Sequence, residues 1–197
     1  MADFFETLEN DMKKGASDIE KGWHDFTNSF RMAAEDLGAD EKEHLEAENA
    51  LYTWADGDIL DYPYWSEEAG EKDKMMRTLA TIMMDDDKLV APCNGVIAAV
   101  DENSNTIAIV LDKEVIVAVK VCTGCADFTK DAKILVKQGE FVRVGQTLAE
   151  FSSKIHAKSK LLLIRPDDTE TLKKLGFKPA AAKGTMEAGT KAIALSR

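Results

Sequence analysis

Three cysteines are the side chains of this chain best placed by type and spacing to do chemistry: Cys93, and the pair in Cys122-Thr123-Gly124-Cys125. Two thiols three positions apart suit a dithiol–disulfide couple or half of a zinc site. A zinc site needs two further ligands and Cys93 offers one, so metal binding through Cys93, Cys122 and Cys125 stands beside redox use and beside idle thiols. An odd count with two members in one CxxC is not the framework of a secreted disulfide domain. The three histidines, His24, His44 and His156, are scattered, and no Ser–His–Asp set accompanies them. His156, in Lys154-Ile155-His156-Ala157-Lys158, reads as a surface loop residue. Asp85-Asp86-Asp87-Lys88 lacks the alternation and closing Glu of a calcium loop and reads as a turn.

The surroundings of these groups are set by an uneven charge distribution. The 197 residues carry a net charge of −11, with 45% apolar and 31% charged residues, a composition normal for a globular protein. Residues 1–87 hold 8 Lys/Arg against 24 Asp/Glu, whereas residues 88–197 hold 17 against 12. An acidic first half repels phosphates and argues against nucleic acid as a partner. No apolar run reaches the length needed to span a bilayer. The acidic start, Met1-Ala-Asp-Phe-Phe-Glu6, is not a secretory signal, so the expected location is cytoplasmic or within an intracellularly assembled particle.

The elements that must position the chemistry change character along the chain. Phe5, Leu8, Met12, Ile19, Trp23, Phe26, Phe30, Ala33 and Leu37 recur mostly at spacings of three and four, which predicts an amphipathic helix over 3–37. Gly38 suits its stop, and Asp40 with Glu43 reads as the capping box of a second helix over 41–55, with Leu45, Leu51 and Trp54 on its apolar face. Two such helices make a poor core alone and need a cover. Acidic residues dominate their polar face, which disfavours anionic lipid. Phe5, Leu8, Met12, Trp23, Phe26 and Phe30 are therefore candidates for contact with a protein partner or a second copy of the chain. Residues 58–74 are expected to form an aromatic extended segment, held out of helix by Pro63, followed by a polar linker.

From about residue 75 short β-type runs follow at regular spacing: Leu79–Met84, Leu89–Ala91, Gly95–Val100, Thr106–Leu111, Val115–Val121, Ile134–Val136, Gln146–Phe151, Lys160–Ile164 and Lys191–Leu195. A short helix over Thr169–Leu175 interrupts them. The expected class is α+β: N-terminal amphipathic helices over 1–57, the extended segment over 58–74, and a small antiparallel β-sandwich or barrel over 75–197. Gly139 and Gly145 sit where a hairpin must reverse tightly and need positive φ.

Three stretches together carry a resemblance. Leu89-Val-Ala-Pro-Cys-Asn-Gly-Val-Ile97, Lys137-Gln-Gly-Glu-Phe-Val-Arg-Val-Gly-Gln-Thr-Leu-Ala-Glu-Phe151 and Gly184-Thr-Met-Glu-Ala-Gly-Thr-Lys-Ala-Ile-Ala-Leu195 resemble, in order, the opening turn, the glycine hairpin and the final strand pair of the glucose-type enzyme IIA domains of the bacterial sugar phosphotransferase system. The resemblance implies a β-sandwich and two facing histidines, one accepting a phosphoryl group and the other stabilising it. It places Lys120 at the acceptor, in Val119-Lys120-Val121-Cys122, and Asn105 at the second position, 15 residues earlier. A lysine amine is ordinarily protonated near neutral pH and replaces a histidine nucleophile poorly. Lys120 also lacks the hairpin-tip setting of a lipoyl or biotin attachment site. The family carries more strand before the matched part, and residues 35–74 do not resemble it.

The expectation is a non-catalytic binding module that keeps the carrier fold as a structural or regulatory subunit, needs no cofactor, and is not an enzyme. The alternatives are a divergent phosphotransferase-system component using Cys122 or Cys125 as acceptor, and a small cysteine-based metal- or ligand-binding protein.

Overall fold

The β-branched runs around residues 95–121 alternate between two faces, and pairing them in one register buries both. The computed structural model describes residues 50–63, 76–112, 115–122, 124–164 and 178–194. In chain order the elements are β1 (Ala50–Tyr52), β2 (Gly57–Asp61), β3 (Met76–Val90), β4 (Gly95–Asp101), β5 (Thr106–Asp112), β6 (Val115–Val121), α1 (Phe128–Asp131), β7 (Ala132–Ile134), β8 (Phe141–Val142), β9 (Thr147–Ile164), β10 (Lys178–Pro179), β11 (Gly184–Met186) and β12 (Lys191–Ala194). The larger sheet has the order β11-β2-β3-β9-β6-β5-β4-β8, with β7 on β9; the smaller has the order β1-β12-β10. Every pairing is antiparallel.

Register decides which residues enter the core. Ile107 lies opposite Val119 and Ile109 opposite Val117, while Val119 and Val117 in turn face Leu161 and Leu163 of β9. All six belong to the main core, with Leu51, Trp54, Leu79, Ile82, Leu89 and Phe128. Each large side chain so buried contributes roughly 1.5–3 kcal/mol. The intervening residues, Ala108, Ala118 and Leu162, form a second buried cluster on the opposite face with Ala98, Val110, Ile116 and Ile164. Phe128 meets Phe151 edge-on, ring centroids 5.8 Å apart, which fastens α1 to the core.

Several expectations change here. The helix over 3–37, its stripe from Phe5 to Leu37, the start of the second helix and the helix over Thr169–Leu175 lie outside the described residues. The second helix does not run to residue 55, because Ala50–Tyr52 is the strand β1, paired with β12. Leu51 and Trp54 are buried in the β core, not on a helix face. Strand β2 pairs with β3, so residues 50–61 supply strand before the β4 turn, where the sequence showed no resemblance to it. Asp85–Lys88 is not a turn: β3 runs through it, with Asp85 opposite His156 and Asp86 opposite Ile155. The break in register after Asp86 places Lys88 opposite Glu150, so one residue of β3 stands against the four residues 151–154 of β9 there. His156 is accordingly an exposed strand residue, not a loop residue.

Two motif glycines show their purpose. A side chain on Gly95 would collide with the Val110 carbonyl and Ile109, so the Ala-Pro-x-x-Gly turn needs glycine for close backbone approach. Gly139 and Gly145 have φ of 81° and 77°, as the hairpin reading requires. The two motifs hold each other. The Ala91 N–H donates to the Gln146 carbonyl (2.8 Å), Gly145 N–H to the Ala91 carbonyl (3.0 Å), and Val144 N–H to Asn94 Oδ1 (2.8 Å).

Candidate functional site

At the far end of β4 from Gly95, the carboxylate of Asp101 accepts the N–H groups of Asn103 (3.0 Å) and Ser104 (3.2 Å). This Asx-type turn delivers Asn105 at φ 52°, the one non-glycine residue with positive φ among the described residues. Asparagine tolerates that region better than most side chains. Asn105 is 2% exposed. Its Nδ2 donates to the Ala126 carbonyl (2.7 Å), its Oδ1 accepts from Phe128 N–H (2.9 Å), and its carbonyl accepts from Val121 N–H (3.0 Å). One residue thus ties the start of β5, the end of β6 and the loop after β6 together.

Lys120 sits half-buried on β6, opposite Thr106 on one side and Lys160 of β9 on the other. Directly opposed residues on antiparallel strands share a face, so Lys120, Lys160 and Thr106 stand on the side away from the main core. Behind them, the Lys120 carbonyl accepts from Ser159 Oγ (3.1 Å), and Ser159 Oγ accepts from Trp54 Nε1 (2.7 Å). Trp54 and Ser159, both fully buried, therefore support the strand that carries Lys120. Sequence reasoning placed Trp54 on a helix and overlooked Ser159. The inward alternation of Ile155, Ala157, Ser159 and Leu161 is the signal that could have found it.

The CxxC follows at once. Cys122 is half-buried and Cys125 exposed. Cys122 N–H donates to the Lys158 carbonyl (2.9 Å), and the Cys122 carbonyl accepts from Cys125 N–H (3.1 Å) and Ala126 N–H (3.3 Å). The Cys122 thiol is held below its ordinary range by a hydrogen bond from Cys125 first, by the Gly124 backbone next, and by the Lys158 ammonium in smaller part. The Cys125 thiol is pushed up, chiefly through the same hydrogen bond. Past the loop, Asp127 caps α1 by accepting from Thr129 N–H (3.0 Å), and its carboxylate also takes Lys130 Nζ at 2.6 Å. The Lys130 bond is the first cause holding the Asp127 carboxyl down at about 2.

The structure therefore brings Asn105, Lys120, Cys122 and Cys125 to one end of the sheet. It does not bring Cys93 there. Cys93 lies in the Ala91–Gly95 turn at the other end of β4, where burial pushes its thiol up to about 12. A three-thiol metal site is thereby corrected, and among the described residues no group of three or more His, Cys, Asp or Glu side chains could hold a metal ion. Among the described residues no helix is long and apolar enough to cross a membrane.

The family model of the phosphoenolpyruvate-dependent sugar phosphotransferase system, EIIA 1, matches residues 50–166, more than half of the chain. The chain belongs to this family. Its match starts at β1, in agreement with the strands found there. Among solved structures, the glucose permease IIA of Mycoplasma capricolum is similar with a TM-score of 0.51 and 15% identity, over 73% of this chain and 93% of that one. That likeness shows a shared fold. No curated protein matches. The domain is thus an EIIA domain of that system, with the fold of the glucose permease IIA.

Proposed function

We propose that this EIIA domain is a non-catalytic binding module, a structural or regulatory subunit of a larger protein assembly inside the cell. The observation that carries the reading is Asn105. Both polar ends of its side chain are committed to loop backbone, one to the Ala126 carbonyl and one to the Phe128 N–H. A side chain used in this way organises the site instead of stabilising a phosphoryl group on a neighbour. Lys120 supports the same reading, because a lysine is a poor acceptor for transfer between histidines. His156, on β9 opposite Asp85, stands well along the strand from Lys160, the residue that faces Lys120. Contact with protein, through the N-terminal stripe of Phe5, Leu8, Met12, Trp23, Phe26 and Phe30 or through the β body, is the proposed mode of action.

The test is incubation with the general phosphotransferase proteins and labelled phosphoenolpyruvate, beside an authentic EIIA domain. The proposal expects no acid-labile phosphate on this chain. Stoichiometric label within residues 100–130 overturns it, and label on Cys122 or Cys125 would establish the divergent acceptor instead.

A further inference from the structure

Two residues beyond Lys120, the chain makes a tight turn to which the non-catalytic reading gives no duty. Its start is fixed where Cys122 N–H meets the Lys158 carbonyl, and its end is fixed by the two side-chain bonds of Asn105 to Ala126 and Phe128. Between these anchors the Cys122 carbonyl collects the N–H groups of Cys125 and Ala126. The bond from Cys125 N–H to the Cys122 carbonyl closes a four-residue turn, which brings the two Cα atoms within the span that a disulfide bridges. Cys125 is exposed and Cys122 half-buried, so a small reagent can reach the pair. The remaining cysteine, Cys93, is 1% exposed at the other end of β4 and is not available to either.

We propose that Cys122 and Cys125 are a reversible dithiol–disulfide couple that exchanges with low-molecular-weight disulfides of the glutathione type, with Cys122 as the attacking sulfur. The balance is that of thiol exchange. The Cys122 thiolate attacks one sulfur of the small disulfide, forming a mixed disulfide and expelling one small thiolate. Cys125 then gives its proton to water, attacks the Cys122 sulfur and expels the second small thiolate. Two electrons pass from the protein dithiol to the small disulfide, which leaves as two thiols. The order follows from the site. The bond donated by Cys125 and the nearby Lys158 ammonium favour the thiolate at Cys122, while Cys125, raised in return, is the resolving thiol. Because both ends of the turn are already anchored, ring closure asks for little rearrangement of the sheet.

The experiment uses the full-length protein equilibrated in glutathione buffers of graded oxidised-to-reduced ratio, then alkylated and analysed by peptide mass. The proposal expects loss of two hydrogen atoms confined to the peptide holding Cys122 and Cys125, titrating as one two-electron step, with Cys93 untouched. Cys125→Ser should accumulate a single glutathione adduct on Cys122 that persists, and Cys122→Ser should react with glutathione disulfide about tenfold more slowly than the unaltered chain. Melting curves of both variants verify that the fold is intact. Four results overturn the proposal: both thiols still alkylated in the most oxidising buffer, disulfides only between chains, a Cys122→Ser variant that reacts as fast as the parent, or stoichiometric metal in the purified protein that blocks alkylation until a chelator is added. None of these depends on the phosphate-labelling result, so the couple and the non-catalytic reading can fail separately.

Discussion

The two ends of β4 teach different things. At its start, the Ala91–Gly95 turn and the hairpin around Gly139 and Gly145 carry the family's sequence pattern, and each motif residue has a geometric duty there. At its finish, the Asn105 side chain clamps the loop after β6, and Ser159, held by Trp54, braces the backbone of β6 at Lys120. The first end is shaped by steric demands on the backbone, the second by the hydrogen bonds of one buried amide side chain. Changing either end alone should separate the two kinds of demand.

The largest expected effect lies in the strand that serves both ends. Val119 is fully buried beside Ile107 and Leu161. Val119→Asp places an unpaired charge in the core at a cost of several kcal/mol, comparable to the stability of a small domain. Circular dichroism should show a chain unfolded at room temperature; an unchanged melting temperature would break the register described here. Next comes the steric end. Gly95→Ala drives a methyl group into the Val110 carbonyl, backbone that cannot step aside, and should cost about 1–3 kcal/mol in urea denaturation.

At the other end, Asn105→Ala strands the Phe128 N–H and the Ala126 carbonyl and should cost about 2 kcal/mol. Asn105→Asp keeps the acceptor for Phe128 but sets a buried carboxylate oxygen against the Ala126 carbonyl. It should cost more than the alanine variant at neutral pH and recover part of that loss as acid protonates the carboxyl into a donor. If Asn105→Ala were silent in denaturation, the loop would not be clamped, and the contrast between the two ends would lose its basis.

The smallest effect concerns Asp127. Its carboxyl is lowered from 3.8 to about 2 in the folded protein. A folded value below the unfolded one adds stability that is fully present above about pH 4 and is lost as pH falls from 3.8 towards about 2. The group is exposed and its pairing with Lys130 is screened by water, so the change should be slight. Asp127→Asn should remove this part of the acid sensitivity, and following the carboxyl signal by NMR titration checks the sign.

How much of this was legible in the sequence differed by region for physical reasons. The runs Gly95–Val100, Thr106–Leu111 and Val115–Val121 were readable because period-two alternation and local turns agree there, and they coincide closely with β4, β5 and β6. Asp85–Lys88 misled because its local turn chemistry is overridden by pairing with β9 on both sides of the break in register. Leu51 and Trp54 misled because a spacing of three fits a helix as well as a strand followed by a bend. At the candidate site, the identity of position 105 was visible but its duty was not. Both side-chain bonds of Asn105 reach backbone more than 20 residues away, which no local pattern encodes.

The pairing of β1 with β12 has a kinetic consequence. Ala50 meets Ala194 and Leu51 meets Ile193, so this small sheet closes only when nearly the whole described chain has been gathered between its strands. Loop closure of that length is entropically costly and rewarded late. Hairpins such as β4–β5 and β5–β6 can zip from nearby residues, whereas the β1–β12 seam must wait for them. The same seam is short, only three residues on the β1 side, and is the natural place for the first sub-global opening of the native state. Amide exchange should reach Leu51 and Ile193 well before Val117 and Leu161, so the described fold would come undone where strands far apart in sequence are joined and hold longest along β6 and β9.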